Sequence, residues 1–261
     1  MHPLLNIATQ AARQAGRIIA QSVDHLDRVT VTQKGVHDFV TEVDKLAEQE
    51  IIAVIRKSYP NHSILGEESG EIAGDAHCWV IDPLDGTTNF IHGFPHFSIS
   101  IAVKLQNQYQ VGLVYDPLRG EMFMASKGEG ARLNERRIRV SSCTKLDSAL
   151  LGTGFPARKG DYLKFYLKSF AAVFPVSAGV RRAGSAALDL AYVAAGRLDG
   201  FWEAQLKPWD MAAGCLLVQE AGGYVSDFSN QAHHFENGDV IAGTPKVHHA
   251  LVEIIQPLVE K

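Results

Sequence analysis

Two carboxylates three residues apart, Asp82 and Asp85, stand in the string Trp79-Val80-Ile81-Asp82-Pro83-Leu84-Asp85-Gly86-Thr87-Thr88-Asn89-Phe90. Hard oxygen donors held on a stiff backbone suit Mg2+, which prefers carboxylate, carbonyl and water. Pro83 fixes φ between the two acids, and Gly86 lets the backbone approach a bound group closely. Thr87 and Thr88 then offer hydroxyls and free amides where a helix can begin, the usual cradle for a phosphate. A cation site beside a phosphate site points to phosphoryl chemistry. Asp-Pro and Asp-Gly taken singly are ordinary turn formers, so it is the twelve-residue string as a whole that carries the functional reading.

Trp79 to Ile81 are β-branched and aromatic and read as a short buried strand leading into a turn at Asp82. Just upstream, Ser63 to Leu65 read as another strand, and Gly66-Glu67-Glu68-Ser69-Gly70 follows it. Should these two strands be neighbours in one sheet, Glu67, Asp82 and Asp85 converge. Further upstream Thr41 and Asp44 have capping-box spacing at the head of a helix that stops before Pro60. Asp38 lies just outside that cap, as a loop aspartate or as a catalytic one. Trp209-Asp210 opens a helix running to Ala221, where an aspartate is a commonplace cap.

The other elements follow from periodicity. Leu4, Ile7, Ala8, Ala11, Ala15, Ile18 and Ile19 keep one apolar stripe to about Ser22, and Val29 to Gln33 read as a strand. Segments 97–104, 110–115, 121–125 and 137–140 alternate, with turns between them, as an antiparallel meander. Beyond Ser142 the rhythm becomes strand and helix in alternation, ending in a helix from Pro245 to Val259. The change divides the chain into an α+β half, residues 1–142, and an α/β half, residues 143–261, that carries Asp210.

Composition narrows the function. The 261 residues are 46% apolar and 21% charged, ordinary for a soluble globular protein. A net charge of −4 offers no general attraction to nucleic acid or anionic membrane. The cluster Arg132, Arg136, Arg137 and Arg139 lacks interleaved aromatics and reads as a solvated hairpin. Cys78, Cys143 and Cys215 are far apart, without CxxC spacing, and read as reduced thiols. No apolar run reaches spanning length and no signal-peptide core is present, so the expected location is the cytoplasm. Neither a Gly-x-Ser-x-Gly elbow nor a Walker loop occurs. The His233-His234 and His248-His249 pairs lack metal spacing and are expected in loops or on the surface.

Taken together, Gly-Glu67-Glu-Ser, the 79–90 string, Trp209-Asp210-Met-Ala-Ala-Gly, Glu220-Ala-Gly-Gly, Asp38-x-Val-Thr-x-x-Asp44 and Arg181-x-x-Gly184-Ser185-Ala186-Ala187 resemble the inositol monophosphatase family, lithium-sensitive, Mg2+-dependent sugar phosphatases. The resemblance runs from the first helix to the last strand, and in detail it is to bacterial inositol-1-monophosphatases. It implies a five-layer α-β-α-β-α fold, an antiparallel sheet with helices followed by a mixed sheet with helices, and a homodimer. It implies that Glu67, Asp82 and the Leu84 carbonyl hold one Mg2+, that Asp82, Asp85 and Asp210 hold a second, and that a third binds weakly near Glu67. Two to three ions per subunit would activate a water oriented by Glu67 and by Thr87 with Asp38 behind it. The phosphate would rest on the Gly86 and Thr87 amides, with Asp85, Ser185, Ala186 and Glu203 on the polyol hydroxyls. Leu84, Gly184 and Asp210 would complete the substrate contacts, and Arg181 would pair with substrate or brace the dimer. Glu203 favours a neutral polyol, whereas another sugar or nucleotide phosphate is the alternative substrate. Some bacterial relatives associate with the transcription antitermination machinery, which adds a binding role as a further alternative.

Overall fold

The computed structural model describes residues 2–35, 38–155 and 160–259. In chain order, the first half holds α1 (Pro3–Val23), β1 (Val31–Gly35), β2 (Asp38–Thr41), α2 (Glu42–Ser58), β3 (Ser63–Gly66), β4 (Gly70–Ile72), β5 (His77–Asp85) and α3 (Thr87–Ile91). A meander follows, with β6 (Ser98–Leu105), β7 (Gln108–Asp116), β8 (Glu121–Ser126), β9 (Gly130–Leu133) and β10 (Arg136–Arg137). The second half holds β11 (Leu150–Thr153), α4 (Gly160–Val173), β12 (Gly179–Arg181), α5 (Ala186–Ala194), β13 (Gly200–Glu203) and α6 (Pro208–Glu220). It ends with β14 (Tyr224–Ser226), α7 (His234–Asn237), β15 (Val240–Gly243) and α8 (Pro245–Ile255).

These elements stack in the expected five layers. An eight-stranded sheet runs β10-β9-β8-β7-β6-β5-β3-β4, and a five-stranded one runs β12-β11-β13-β15-β14. One face of the larger sheet meets α1 and α2, whose stripe of Leu4, Leu5, Ala8, Ala15 and Ile19 packs with Trp79, Ile81 and Leu84 of β5. Its other face meets α5 and α6, where Val80, Ala102 and Phe123 share a core with Leu190, Met211 and Phe201 of β13. The smaller sheet is covered on its far side by α8 and α4. Small residues let this middle layer pack closely: a side chain on Gly112 would press on the Ala213 backbone, and one on Gly214 on Leu190.

The parity of β5 is what positions the site. Trp79 and Ile81 face α1 and α2, so Val80 and Asp82 face α5 and α6. In a regular strand Asp85 would then point the opposite way. The register against β6 shifts between Asp82 and Asp85, Leu84 turns to the outer core, and both acids come to one side. The expected turn at Asp82 is therefore a strand that runs on to Asp85 through a bulge, and Pro83 is accommodated there because a bulge does not need its missing N–H. The chain breaks only at Gly86, whose φ of 99° favours glycine and which heads α3.

Further differences are local. The sequence reading missed β2, β4, β9, β12 and α7, all four residues or shorter, too short for periodicity to register, and its strand 137–140 is confined to β10 at Arg136–Arg137. The three cysteines are free thiols. The histidines depart from expectation: His62, His96, His234 and His248 are buried. His248 meets the Ser226 hydroxyl at 2.9 Å, and burial pushes its imidazole down to about 4.

Candidate active site

β3 and β5 are parallel neighbours with Gly66 opposite Ile81, so the expected convergence occurs. The Glu67 amide donates to the Ile81 carbonyl at 3.1 Å, and the Glu67 and Asp82 side chains share a hydrogen bond. Glu67 is itself braced by a residue the sequence reading did not single out. Glu48 of α2 is buried, and its carboxylate takes the Glu68 and Ser69 amides at 3.0 and 2.7 Å. That fixes the turn following Glu67.

Each aspartate spends one oxygen on the scaffold. Asp82 Oδ1 accepts the Leu84 amide at 3.0 Å. Asp85 Oδ2 accepts the Ser185 hydroxyl at 2.6 Å and the Ala187 amide at 2.8 Å, which caps α5. Asp210 Oδ2 accepts the Lys207 amide at 2.7 Å at the head of α6. Capping and site roles are thus compatible, since a carboxylate has two oxygens. The Oδ1 atoms of Asp85 and Asp210 carry no hydrogen bond among the described residues.

The electrostatics follow from that crowding. Burial, and then the charges of Glu67, Asp85 and Asp210, hold Asp82 well above the usual carboxylate range. Asp210 lies well above it through burial and Asp85, while burial pushes Asp85 up to about 6. Glu203 is raised by burial and by Asp210, Asp189 and Asp85. No arginine or lysine bonds any of these four among the described residues. An all-oxygen donor set rich in uncompensated anions fits Mg2+.

A pH dependence follows. A carboxyl whose folded value exceeds its unfolded one binds more protons when folded, so stability falls as pH rises through that interval. For the metal-free fold the interval opens near the unfolded value of about 4 and extends through about 6 for Asp85, with Asp82 and Asp210 raised in the same direction. Mg2+ competes with those protons. The rise in melting temperature that Mg2+ gives over chelator is expected to grow from pH 5 to pH 8, and thermal scans showing a pH-independent increment would contradict it.

Thr87 lies beside this group, its Oγ1 2.9 Å from Asp44 Oδ1 and 3.1 Å from the Leu84 carbonyl. A hydroxyl has one proton, so it donates to one of the two at a time. Asp44 is thus an acid behind Thr87 that the sequence reading did not single out, while the expected Asp38 opens β2 and its side chain lies outside those described. Asp44 forms its capping box through Oδ2 and keeps Oδ1 for Thr87. Burial raises it above the usual range.

A cavity of about 160 Å3 adjoins the carboxylates. Among the expected substrate residues, Asp85, Gly184, Ser185, Ala186, Glu203 and Asp210 line it, and Leu84, Gly86 and Thr87 stand at the adjoining end of β5 and start of α3. Thr153, Gly154, Arg182, Asp189 and Leu206 also line it, and sequence reasoning missed them. Gly154 is needed there because a side chain would overlap the Glu203 carboxylate. Asp189 is taken by His96 Nε2 at 3.2 Å. Arg181 lies off the cavity, exposed, its Nη1 donating to the Val180 carbonyl at 3.3 Å. Arg182, the first residue past the end of β12, lines the cavity instead.

Another set of metal-ligating types, His62, Asp75 and His77, gathers within 4.8 Å. It sits at the opposite ends of β3 and β5, about 15 Å away by strand rise. Trp79 Nε1 donates to His62 Nδ1 at 2.9 Å, so the remaining proton is on Nε2, the atom a metal would need. The two imidazoles stack at 4.5 Å and 10°, and a cation cannot lie in both ring planes. The stacked rings and the Trp79 hydrogen bond suit this cluster to a brace, and the crowded carboxylates are the better fit for a cation.

The model of the inositol monophosphatase family matches residues 1–260. The chain belongs to that family. It is 55% identical to the Nus factor SuhB of Pseudomonas aeruginosa over 98% of this chain and 97% of that protein, and 54% identical to the Nus factor SuhB of Escherichia coli K12 over 97% and 95%. Among solved structures it resembles the extragenic suppressor protein SuhB of Bartonella henselae, with a TM-score of 0.95, 42% identity and coverage of 98% and 99%. The Anabaena inositol monophosphatase gives a TM-score of 0.85, 37% identity and coverage of 97% and 95%. As an inositol monophosphatase family member the protein is a phosphatase, a metal-binding hydrolase of a Mg2+-dependent family. No helix among the described residues is long and apolar enough to cross a membrane.

Proposed function

We propose that the protein hydrolyses inositol monophosphate to inositol and phosphate, in one displacement by water without a phospho-enzyme. The observation that carries this reading is the Asp82–Asp85–Asp210 group with Glu67 on one side and the Thr87–Asp44 pair on the other. Mg2+, when bound by Glu67, Asp82, Asp85, Asp210 and the Leu84 carbonyl, supplies Lewis-acid polarisation of the phosphoryl oxygens and a lowered pKa for water. Two to three ions per subunit suit this donor set.

The chain's own groups do the rest. Water attacks phosphorus as the ester P–O bond breaks, and the attacking water must shed a proton. Thr87 Oγ1 accepts that hydrogen bond while donating its own to Asp44 Oδ1, whose raised basicity favours the proton's departure. Glu67 is the second acceptor that fixes the water's orientation. The Gly86 and Thr87 amides at the head of α3 receive the phosphate, with Leu84 and Asp85 beside them. Ser185, Ala186, Gly184, Glu203 and Asp210 face the leaving alcohol across the cavity. Arg181, off the cavity, is assigned to bracing a homodimer, for which α4 offers exposed Leu163 and Leu167. Phosphate release from inositol 1-phosphate with Mg2+, lost in chelator, tests the reading, and no turnover by folded, Mg2+-loaded protein would overturn it.

A second reading has the protein also binding the transcription machinery in the cytoplasm. The names of its relatives, Nus factors at over half identity, favour it. Retention on immobilised RNA polymerase with antitermination factors tests it, and absence of retention at physiological salt counts against it.

A further inference from the structure

Burying a carboxylate without a cation beside it is costly, and a position that keeps one needs a reason. Glu48 is such a position outside the Asp82–Asp85–Asp210 group. It is buried, and no lysine or arginine pairs with it among the described residues. Both of its oxygens are taken up by backbone, Oε2 by the Glu68 amide at 3.0 Å and Oε1 by the Ser69 amide at 2.7 Å. A hydroxyl or a side-chain amide has one oxygen to offer, whereas a carboxylate accepts from two donors through two oxygens. The chain also makes room for it, since a side chain on Gly66 would begin 2.5 Å from Glu48 Oε2.

The place of Glu48 on α2 supplies the reason. It follows Asp44 by four residues, so the two acids lie on one face, a turn apart. Asp44 Oδ1 holds the Thr87 hydroxyl, and Glu48 holds the two amides that follow Glu67. One helix thus supports both flanks of the candidate metal site from behind. The β3 pairing with β5 ends at Gly66, which also pairs with Gly70 of β4, so residues 67–69 form the turn between paired strands. Upstream, Glu67 is held by its own amide on the Ile81 carbonyl, and downstream by Glu48. Its side chain meets Asp82 between those two holds.

We propose, resting on the phosphatase reading above, that Glu48 is a positioning residue for Mg2+. By gripping the Glu68 and Ser69 amides it keeps the Glu67 carboxylate aimed at Asp82, and the affinity for the cation depends on that grip.

The test is calorimetric titration of Mg2+ into the metal-free full chain at pH 7.5 without substrate, beside turnover of inositol 1-phosphate. Glu48→Gln keeps the shape but offers one acceptor for two amides. Glu48→Asp keeps the charge but is a methylene too short to reach both. In each the Mg2+ dissociation constant is expected to rise about tenfold, as when a metal ligand loses the outer hydrogen bonds that orient it. The kcat at saturating Mg2+ should change by about threefold or less. In a Glu67→Gln background, Glu48→Gln should weaken Mg2+ no further, because the ligand it places is gone. A Glu48→Gln protein that melts lower in chelator yet binds Mg2+ as the wild type does would make Glu48 a fold residue alone and overturn the proposal. Weakening in Glu48→Gln with none in Glu48→Asp would trace the effect to charge at a distance and overturn it as well. So would full additivity with Glu67→Gln. Absence of turnover by the wild type would sink the phosphatase reading, while the Mg2+ titrations still decide the role of Glu48.

Discussion

Asp82→Asn is expected to lower Mg2+-dependent phosphate release by about a thousandfold or more while raising the melting temperature of the metal-free protein. The two effects have one cause. Asp82 is 2% exposed and faces Glu67, Asp85 and Asp210, so its charge is costly without a cation and indispensable with one. On the proposed reading, losing an anionic ligand would remove electrostatic stabilisation on which the transition state depends, commonly worth several kcal/mol. The amide keeps Oδ1 for the Leu84 N–H and gives Glu67 a donor where two carboxylates had to share a proton. Relief of that repulsion is on the order of 1–3 kcal/mol, read as a higher melting point in chelator at pH 7.5. Addition of Mg2+ should stabilise the variant much less than the wild type. A variant that melts lower than wild type in chelator would show that Asp82 is a structural residue first.

The parts of this site that could be read in the sequence are those that no capping signature nearby already accounts for. Glu67, Asp82 and Asp85 stand at strand ends, and two short β-branched runs sufficed to bring them together. Residues with a cap signature of their own were hidden. Asp44 completes a capping box, which accounts for it fully until the second oxygen is considered, and so only Asp38 was named behind Thr87. Asp210 was the same case, and only the neighbouring motif rescued it. Arg181 ends an edge strand and Arg182 follows it, and which of two adjacent residues turns inward cannot be assigned before the strand's bounds and partner are known. The bulge in β5 was hidden for a related reason. Asp82 and Asp85 at odd spacing predict opposite faces or a turn, and the register shift that unites them depends on pairing with β6, sixteen residues beyond Asp82. Long-range pairing also explains the buried histidines. His96 reads as a loop residue until Asp189 of α5 is placed against it.

Asp44 and Thr87 are expected to act as a unit, and a double-mutant cycle shows whether they do. Thr87→Ala removes the hydroxyl that holds the attacking water, and Asp44→Asn leaves a side chain of the same shape that can no longer draw the Thr87 proton. Each is expected to lower kcat about a hundredfold, the usual scale for positioned acid–base assistance, with KM changed less than threefold. The double variant should lose about as much as either single one, since the second change removes an interaction already lost. Asp44→Asn should also blunt the acid limb of the kcat profile, because the group whose protonation disables the wild type is gone. Stability gives the control. Asp44 caps α2 through Oδ2, and asparagine retains an oxygen that can accept there, so the melting temperature should move by a few degrees at most, consistent with about 1 kcal/mol for a weakened cap. Multiplicative losses in the double variant would mean that the two side chains act separately, and the Thr87–Asp44 contact would then be an incidental hydrogen bond at the edge of the site.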